Sequence, residues 1–192
     1  MISYNRNHES VYVIVNHRCR ARRSRRTLCG AKENLMNQDK QDNAGSIAAP
    51  VKIYLVPLVS GLVLHFVFPL RFLPSGWLPL AIGLPGIVIG IILNGWSGTT
   101  MGNAGTNPHW NRPAKLLVTH GPFRYSRNPQ YISGNILYLG IAISFNALWP
   151  IVFLPVILLI MIEGVIKREE RYLERRFGEE YLSYKARVRR WL

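Results

Sequence analysis

The chain has 192 residues, of which 48% are hydrophobic, and 24 Lys and Arg against 10 Asp and Glu give a formal net charge of +14. The length suits one domain, and apolar runs with basic ends are typical of a membrane protein rather than a soluble core. The basic residues group around the apolar runs and not on one soluble face, which argues against a nucleic-acid binder.

Residues 1–50 predict a basic extension without a stable fold. Nine of the Lys and Arg residues fall here, and a self-repelling Arg run favours disorder over a nucleic-acid or lipid patch or a transit-like segment. The two cysteines and the nearby histidines match no common zinc spacing, so no metal site is predicted. Met36 offers an alternative start, and we expect the preceding residues to be dispensable. The functional domain is therefore expected to cover residues 51–192.

Two apolar runs in the first half predict membrane helices. Residues 53–70 are uncharged and flanked by charges, and their number is near the roughly 20 that a spanning helix needs. A second span is expected over residues 78–93. It holds Gly86 and Gly90 four residues apart, a spacing that lets another helix approach closely. A Gly-rich loop is expected to follow, over residues 95–105.

The second half predicts a helical hairpin. Thirty-five uncharged residues lie between Arg127 and Glu163, too many for one helix and enough for two short ones. The expected break is at residues 146–150, where Asn favours a turn and Pro a fresh helix start. The third and fourth spans are therefore residues 131–145 and 148–166. The complete prediction is an all-α integral membrane protein with about four transmembrane helices.

The tail and the charge distribution predict the orientation. The fourth span continues out of the membrane, stops at Gly178 and restarts as a C-terminal amphipathic helix with Tyr181, Tyr184 and Val188 on one side. Cytoplasmic loops carry excess Lys and Arg. With four spans, both termini and the loop over residues 96–130 then lie in the cytoplasm.

Residues 117–134, LVTHGPFRYSRNPQYISG, concentrate Gly, Pro, Arg and aromatic residues directly before the third span. Asn128 and Pro129 predict a helix start, since Asn is a good N-cap and Pro at the first helical position gives up only an unpartnered N–H. Gly121-Pro122 breaks any helix before it. On position alone this is an ordinary interfacial loop with Tyr and Arg at the membrane edge.

Residues 117–134 and the tail, residues 168–191, resemble two motifs of the isoprenylcysteine carboxyl methyltransferase family. The two motifs occur in the same order in that family. The first motif is shared in part with the phospholipid N-methyltransferases. The resemblance covers roughly residues 105–191. It implies an integral-membrane methyltransferase that uses S-adenosylmethionine. The orientation predicted from the charges places both motifs on the cytoplasmic side.

The hairpin prediction brings residues 127–131 beside Glu169 and Glu170, because antiparallel helices joined by a short turn have their far ends adjacent. The resulting pocket suits a cationic sulfonium cofactor, since aromatic faces attract cations and a carboxylate can hold an amino or hydroxyl group. The alternative for the two glutamates is a solvated helix face with pairing to neighbouring cations.

The resemblance also implies which residues bind the cofactor. The family's motif Tyr falls on Phe123, its His on Asn128 and its tail glutamate on Glu169, while Lys115 stands where a His is usual. The residues implied to bind S-adenosylmethionine are Asn107, Lys115, Leu116, Leu117, Val118, Phe123, Asn128, Pro129, Gln130, Tyr131 and Glu169.

Arg127 and Glu170 are the predicted catalytic residues. Methyl transfer is an in-line displacement, so the protein mainly aligns donor and acceptor and excludes water. A carboxylate acceptor needs no base, whereas an amine must lose a proton and Glu170 is the nearest candidate. The family's substrate-linked Arg aligns with Val165, which argues against tight binding of a prenylcysteine carboxylate, although Lys167 and Arg168 stand nearby.

The preferred prediction is a methyltransferase acting on a lipid-like acceptor, with isoprenylcysteine-type carboxyl O-methylation slightly ahead. The first alternative is N-methylation of a phospholipid or another small amine. The second is a non-catalytic membrane scaffold protein, which would have no affinity for the cofactor. The expected partners are the lipid bilayer and a lipid-like or prenylated methyl acceptor, and the sequence leaves the oligomeric state open.

Overall fold

A computed structural model describes residues 49–106 and 114–191, and every regular element in these ranges is a helix, as predicted. The predictions for residues 1–48 and for Asn107 lie outside the described residues. In chain order the helices are α1 (Pro50–Val67), α2 (Leu78–Asn103), α3 (Pro129–Ser144), α4 (Leu148–Met161), α5 (Lys167–Phe177) and α6 (Glu179–Arg187), with a 3-10 turn at Gly121–Arg124 and a π-helical turn at Ile162–Ile166.

Three helices in the described ranges are long and apolar enough to cross a membrane. They are α1 with 18 residues, α2 with 26, and the continuous helix Leu148–Phe177 with 30. The chain is therefore a multi-pass membrane protein. The sequence predicted four spans. The predicted span that is absent from these three is α3, which is uncharged but has only 16 residues.

Helix α2 is longer than predicted. The expected end near Leu93 is wrong, because the helix continues through Asn103 across the Gly-rich segment. The side-chain hydroxyls of the continuation find their partners within the helix: Ser97 Oγ donates to Leu93 O at 2.8 Å and Thr100 Oγ1 to Trp96 O at 2.7 Å. Such back-bonding satisfies the hydroxyls without leaving the helix.

Helices α2 and α3 pack closely through glycines. A Cβ atom on Gly140 would lie 2.7 Å from Ile87 N and 2.9 Å from Gly83 O, so only a glycine fits without displacing the backbone of α2. A Cβ on Gly86 would lie 3.3 Å from Gly140 Cα, and one on Gly90 would lie 2.9 Å from a side-chain atom of α3. The prediction that this glycine pair admits another helix is confirmed.

The break between α3 and α4 falls where it was predicted and is fixed by Asn146. This residue has a positive φ of 51°, which Asn tolerates better than most residues. Its Oδ1 accepts hydrogen bonds from Phe72 N (3.2 Å) and Leu73 N (2.9 Å), and its Nδ2 donates to Leu73 O at 2.8 Å. These bonds hold the α3–α4 turn against the loop that follows α1.

A buried cluster joins α3 to the long helix. Tyr138, Ile157, Met161 and Val165 form it, each at most 2% exposed. The Tyr138 hydroxyl donates to Pro150 O at 2.8 Å. Val165, which lies in the π-helical turn, is buried in this cluster, so its side chain serves packing.

The tail folds as predicted after the long helix. Helix α5 ends at Phe177, and Gly178 has a positive φ of 53°, a conformation that favours glycine. Helix α6 then buries Tyr181 and Tyr184 and leaves Val188, just beyond it, partly exposed.

Candidate active site

The far ends of the helical hairpin meet, as predicted. Tyr131, in the first turn of α3, donates a hydrogen bond from its hydroxyl to Glu169 Oε2 of α5 at 2.8 Å. Tyr54 of α1 donates to Asn135 Oδ1 at 3.1 Å. Gly134 makes room for the Tyr54 ring, because a Cβ there would lie 3.2 Å from a ring carbon. Three helices thus contribute to one polar cluster.

A cavity of about 480 Å³ has this cluster in its wall. Cavities that bind cofactors and other small molecules span roughly 300–1,000 Å³. Part of the wall is apolar and comes from the membrane helices, with Val51, Leu55, Leu58, Leu137 and Ile141. The other part is polar or aromatic and comes from the loop before α3 and from α5 and α6, with Phe123, Arg127, Asn128, Glu169, Glu170, Tyr172, Tyr181 and Tyr184.

The structure brings most of the predicted site residues to this cavity. Three do not contribute to its described wall. Lys115 has an exposed side chain and donates its backbone N–H to Thr106 Oγ1, Pro129 is buried in the first turn of α3, and Asn107 lies outside the described residues. Those that line the cavity are Leu116, Leu117, Val118, Phe123, Arg127, Asn128, Gln130, Tyr131, Glu169 and Glu170.

Asn128 occupies the N-cap position of α3, and Pro129 takes the first helical position, as predicted. The predicted capping role of the Asn128 side chain is wrong, since it makes no capping hydrogen bond. Its Nδ2 donates instead to Arg190 O at 3.0 Å. The Asn128 amide therefore binds the backbone that follows α6, which passes beside it.

Glu170 is buried between two arginines. Arg190 donates to both of its oxygens, from Nε to Oε1 at 3.0 Å and from Nη2 to Oε2 at 2.7 Å. Arg127 Nη1 lies 3.2 Å from Oε1, close enough for an ion pair but without the alignment of a hydrogen bond. Bidentate, charge-assisted pairs are strong and geometrically specific. This arrangement suits a structural charge better than a general base, because both oxygens are engaged.

Residues 188–191, which we call the tail clasp, run beside the loop that precedes α3. The backbone N–H of Arg127 donates to Arg189 O at 3.0 Å, and Ser126 Oγ donates to Arg190 O at 3.1 Å. The Arg190 side chain binds Glu170 from the same segment. The clasp therefore connects the polar wall of the cavity to α5.

Three tyrosines complete the polar wall. Tyr184 donates to Phe123 O at 2.7 Å, and Tyr172 accepts from Ala114 N at 3.1 Å. Burial raises the pKa of the Tyr181 hydroxyl to about 12, the Glu170 carboxylate acts in the same direction, and the nearby Arg127 opposes them. Tyr181 is therefore a neutral phenol at physiological pH and presents an uncharged ring.

Sequence reasoning missed Tyr54, Tyr172 and Arg190. Tyr54 lies near the start of α1, 77 residues before its contact Tyr131, and no local pattern marks that pairing. Tyr172 and Arg190 fell within the tail motif, but the structure alone identifies their partners. A signal was present for Tyr172, since it is two residues after Glu170 in a segment already linked to the site.

The residues in the cavity fit the sulfonium cofactor that the sequence implied. Glu169 offers a carboxylate to which only Tyr131 donates among the described residues. Neutral aromatic rings surround it, and their faces attract cations. Within the described ranges, no three His, Cys, Asp or Glu side chains come together in a metal-binding group.

Comparisons with known proteins identify the family of the chain. The family model "Phospholipid methyltransferase" matches residues 78–180, more than half of the chain. An uncharacterized protein of Haemophilus influenzae is 43% identical over 63 residues, which cover 29% of this chain and all of the relative. No solved structure gives a significant match. Of the two families that the motifs resembled, the match names the phospholipid one, and the chain belongs to the phospholipid methyltransferase family of S-adenosylmethionine-dependent enzymes.

Proposed function

We propose that this protein transfers a methyl group from S-adenosylmethionine to the amine of a phospholipid headgroup. The observation that carries the proposal is the two-part wall of the cavity. Its apolar side, from α1 and α3, suits acyl chains, and its polar side, around Glu169, suits a cofactor and a headgroup. A water-soluble acceptor would have no use for the apolar side. The family match supports the same acceptor class.

The residues that would hold the cofactor follow from the chemistry of the wall. Glu169, oriented by Tyr131, is available to the cofactor's amino or hydroxyl groups. Leu116, Leu117 and Val118 line the cavity, and each carries a backbone N–H and C=O as further polar groups. Phe123 presents an aromatic face on the same wall. When bound, S-adenosylmethionine supplies an activated methyl group, and these side chains position it and exclude water.

The geometry also distinguishes the two glutamates as candidates for the general base. Glu170, the candidate from the sequence, has both oxygens engaged by Arg190. Glu169 is the other carboxylate in the described wall, and Tyr131 donates to only one of its oxygens. We therefore assign Glu169 as the better-placed acceptor of the amine proton, because a base needs a free lone pair within reach of its proton.

Carboxyl O-methylation of an isoprenylcysteine is the second candidate. It is favoured by the likeness of the tail to that family and by a cavity wall apolar enough for a prenyl chain. Val165, at the position of the family's substrate-linked Arg, is 2% exposed and belongs to the buried cluster. A cation for the prenylcysteine carboxylate would have to come from elsewhere, which ranks this candidate below the phospholipid amine.

The acceptor can be identified by following the methyl label. Membranes containing the protein are incubated with radiolabelled S-adenosylmethionine and extracted with organic solvent. We expect label in the lipid extract that mild base leaves non-volatile, because base removes the acyl chains but does not break the bond between the methyl group and the nitrogen. Label that base releases as volatile methanol would favour the carboxyl ester, and label confined to the water-soluble fraction before base treatment would refute a lipid acceptor. Membranes with the Glu169→Gln variant give the background.

Glu169→Gln should weaken binding of S-adenosylhomocysteine by about 1–3 kcal/mol, the usual loss when a charged hydrogen-bonding partner is removed. Isothermal titration calorimetry in detergent measures it. Glu163→Gln is the matched control, because Glu163 lies on the same continuous helix but is exposed, pairs with Lys167 and does not line the cavity. Equal affinities for the two variants would remove Glu169 from the cofactor site.

We also propose that α3 is a fourth span and that both termini are cytoplasmic. The support is that α3 covers the same depth as α1. At one end Tyr54 contacts Tyr131, and at the other Asn146 binds Leu73. Helix α1 is itself long enough to cross. The unequal distribution of Lys and Arg supports the orientation.

Reporter fusions test this topology. Fusions after residues 74, 112, 147 and 192 should report outside, inside, outside and inside in that order, because each successive span reverses the side. An inside signal from the fusion after residue 147 would contradict the fourth span.

A further inference from the structure

Arg127 is the feature of the cavity that the proposed function leaves unexplained. Its side chain is 9% exposed and forms part of the cavity wall. Within the part of the chain that the structure describes, Nε and Nη1 make no hydrogen bond. Buried polar groups nearly always have a partner, so such a group calls for a water, an ion or a ligand.

The charges around Arg127 do not compensate it fully. Arg127 and Arg190 share one carboxylate, and Arg190 holds both oxygens of Glu170. Tyr181 does not supply a negative charge, because burial keeps its hydroxyl protonated, with a pKa of about 12. Arg127 is thus a buried cation whose side chain hydrogen-bonds the neutral Tyr181 hydroxyl and makes a misaligned contact to a carboxylate that already has a better partner.

The position of Arg127 is nevertheless well defined. Its backbone N–H is bound by the tail clasp through Arg189 O at 3.0 Å. Neighbouring Ser126 and Asn128 both donate to Arg190 O. Because these bonds fix the backbone from which the guanidinium extends, less of the residue has to be ordered when a ligand binds, which lowers the cost of binding.

We propose that Arg127 is the anion-binding residue of the cavity and that its free Nε–H and Nη1–H groups bind an oxyanion of the ligand. This assignment adds an anion-binding residue to the proposed function, and it rests on that function only for the choice of ligands. Two ligand groups have the required chemistry, the carboxylate of the cofactor's amino-acid end and the phosphate of a lipid headgroup. A guanidinium matches both, since each of its N–H groups forms charge-assisted hydrogen bonds with carboxylate and phosphate oxygens. Nε–H and Nη1–H lie on different edges of the guanidinium, so each binds an oxygen singly.

Paired ligands that differ in one group separate the two sources. The first pair is S-adenosylhomocysteine and its analogue lacking the carboxylate. The second is short-chain phosphatidylethanolamine and an amine of matching chains without the phosphate. Affinities are measured by titration in detergent with the wild-type protein, Arg127→Gln and Arg127→Lys. All readouts are binding constants, so they stay informative even if no lipid is methylated.

We expect the wild-type protein to prefer the anionic member of one pair by about ten-fold or more, as for a charge-assisted hydrogen bond. Arg127→Gln should reduce that preference to near one. A preference for the carboxylate assigns Arg127 to the cofactor, and one for the phosphate assigns it to the headgroup. No preference in either pair, or a preference that Arg127→Gln retains, would overturn the proposal.

Two further variants show whether a lost preference is specific to Arg127 or results from misfolding. Arg127→Lys keeps a cation beside Glu170 and should retain part of the preference, so it replaces Arg127→Gln if that variant does not fold. Arg124→Gln is the matched control, because Arg124 lies in the same loop but is exposed and outside the described cavity wall. It should keep the full wild-type preference.

Discussion

Glu170→Ala should lower the free energy of unfolding by about 3–5 kcal/mol, the range for removing one partner of a buried ion pair. The carboxylate is 9% exposed and shared by Arg127 and Arg190. Without it, Arg127 becomes a buried cation with no counter-ion among the described residues. The tail clasp also loses its side-chain bond to α5. The expected result is a clearly lower melting midpoint of the purified protein in detergent.

Glu174→Ala is the control for this prediction. Glu174 lies one turn further along α5 and pairs with Lys185, but both side chains are about a third exposed. Exposed pairs contribute roughly 0–1 kcal/mol, so this variant should melt close to the wild type. If the two variants melted alike, the buried position of Glu170 would be wrong.

Gly140→Leu should also be strongly destabilising, by about 3 kcal/mol or more. Inserting carbon into a well-packed interface typically costs about 1–3 kcal/mol, and more where the neighbours cannot move. Here even the Cβ would meet backbone atoms of Ile87, Gly83 and Gly86 at 3.0 Å or less. The two helices would have to separate, and we expect a lower yield of folded protein and a lower melting midpoint.

Gly95→Leu provides the comparison for Gly140→Leu. Gly95 also lies within a membrane helix, α2, but a Cβ there would meet nothing within 4 Å. Leucine has a better helix propensity than glycine, by up to about 1 kcal/mol, so this variant should be neutral or slightly stabilising. A similar loss in both variants would contradict the close α2–α3 packing.

The helices were predictable because their signals are local. Apolar runs, a Pro at the first helical position and a Gly after the last one indicated α1, α3 and the end of α5 within a few residues. The end of α2 was not predictable in this way. Its Gly-rich sequence is typical of a loop, and the intrahelical partners of its hydroxyls become visible only in the structure.

The site was predictable only in part, and for a physical reason. The contact of Tyr131 with Glu169 follows from hairpin geometry, which the sequence indicates through the uncharged run and its break. The pairing of Arg190 with Glu170 depends on how the tail clasp turns back after α6. Nothing local distinguishes Arg190 from Arg187 or Arg189, which stay exposed. Such long-range pairings are determined by packing and not by pattern.

The π-helical turn at Ile162–Ile166 sets the phase of the helix that follows it. A turn of this kind holds one residue more than an α-helical turn, and each residue of an α-helix advances by about 100°. In a regular α-helix the same residues would therefore carry the chain about 100° further by the start of α5. Glu169 and Glu170 would then turn together away from Tyr131 and Arg127, although the long helix kept its number of residues. The extra residue held in this single turn thus keeps both carboxylates in the wall of the cavity.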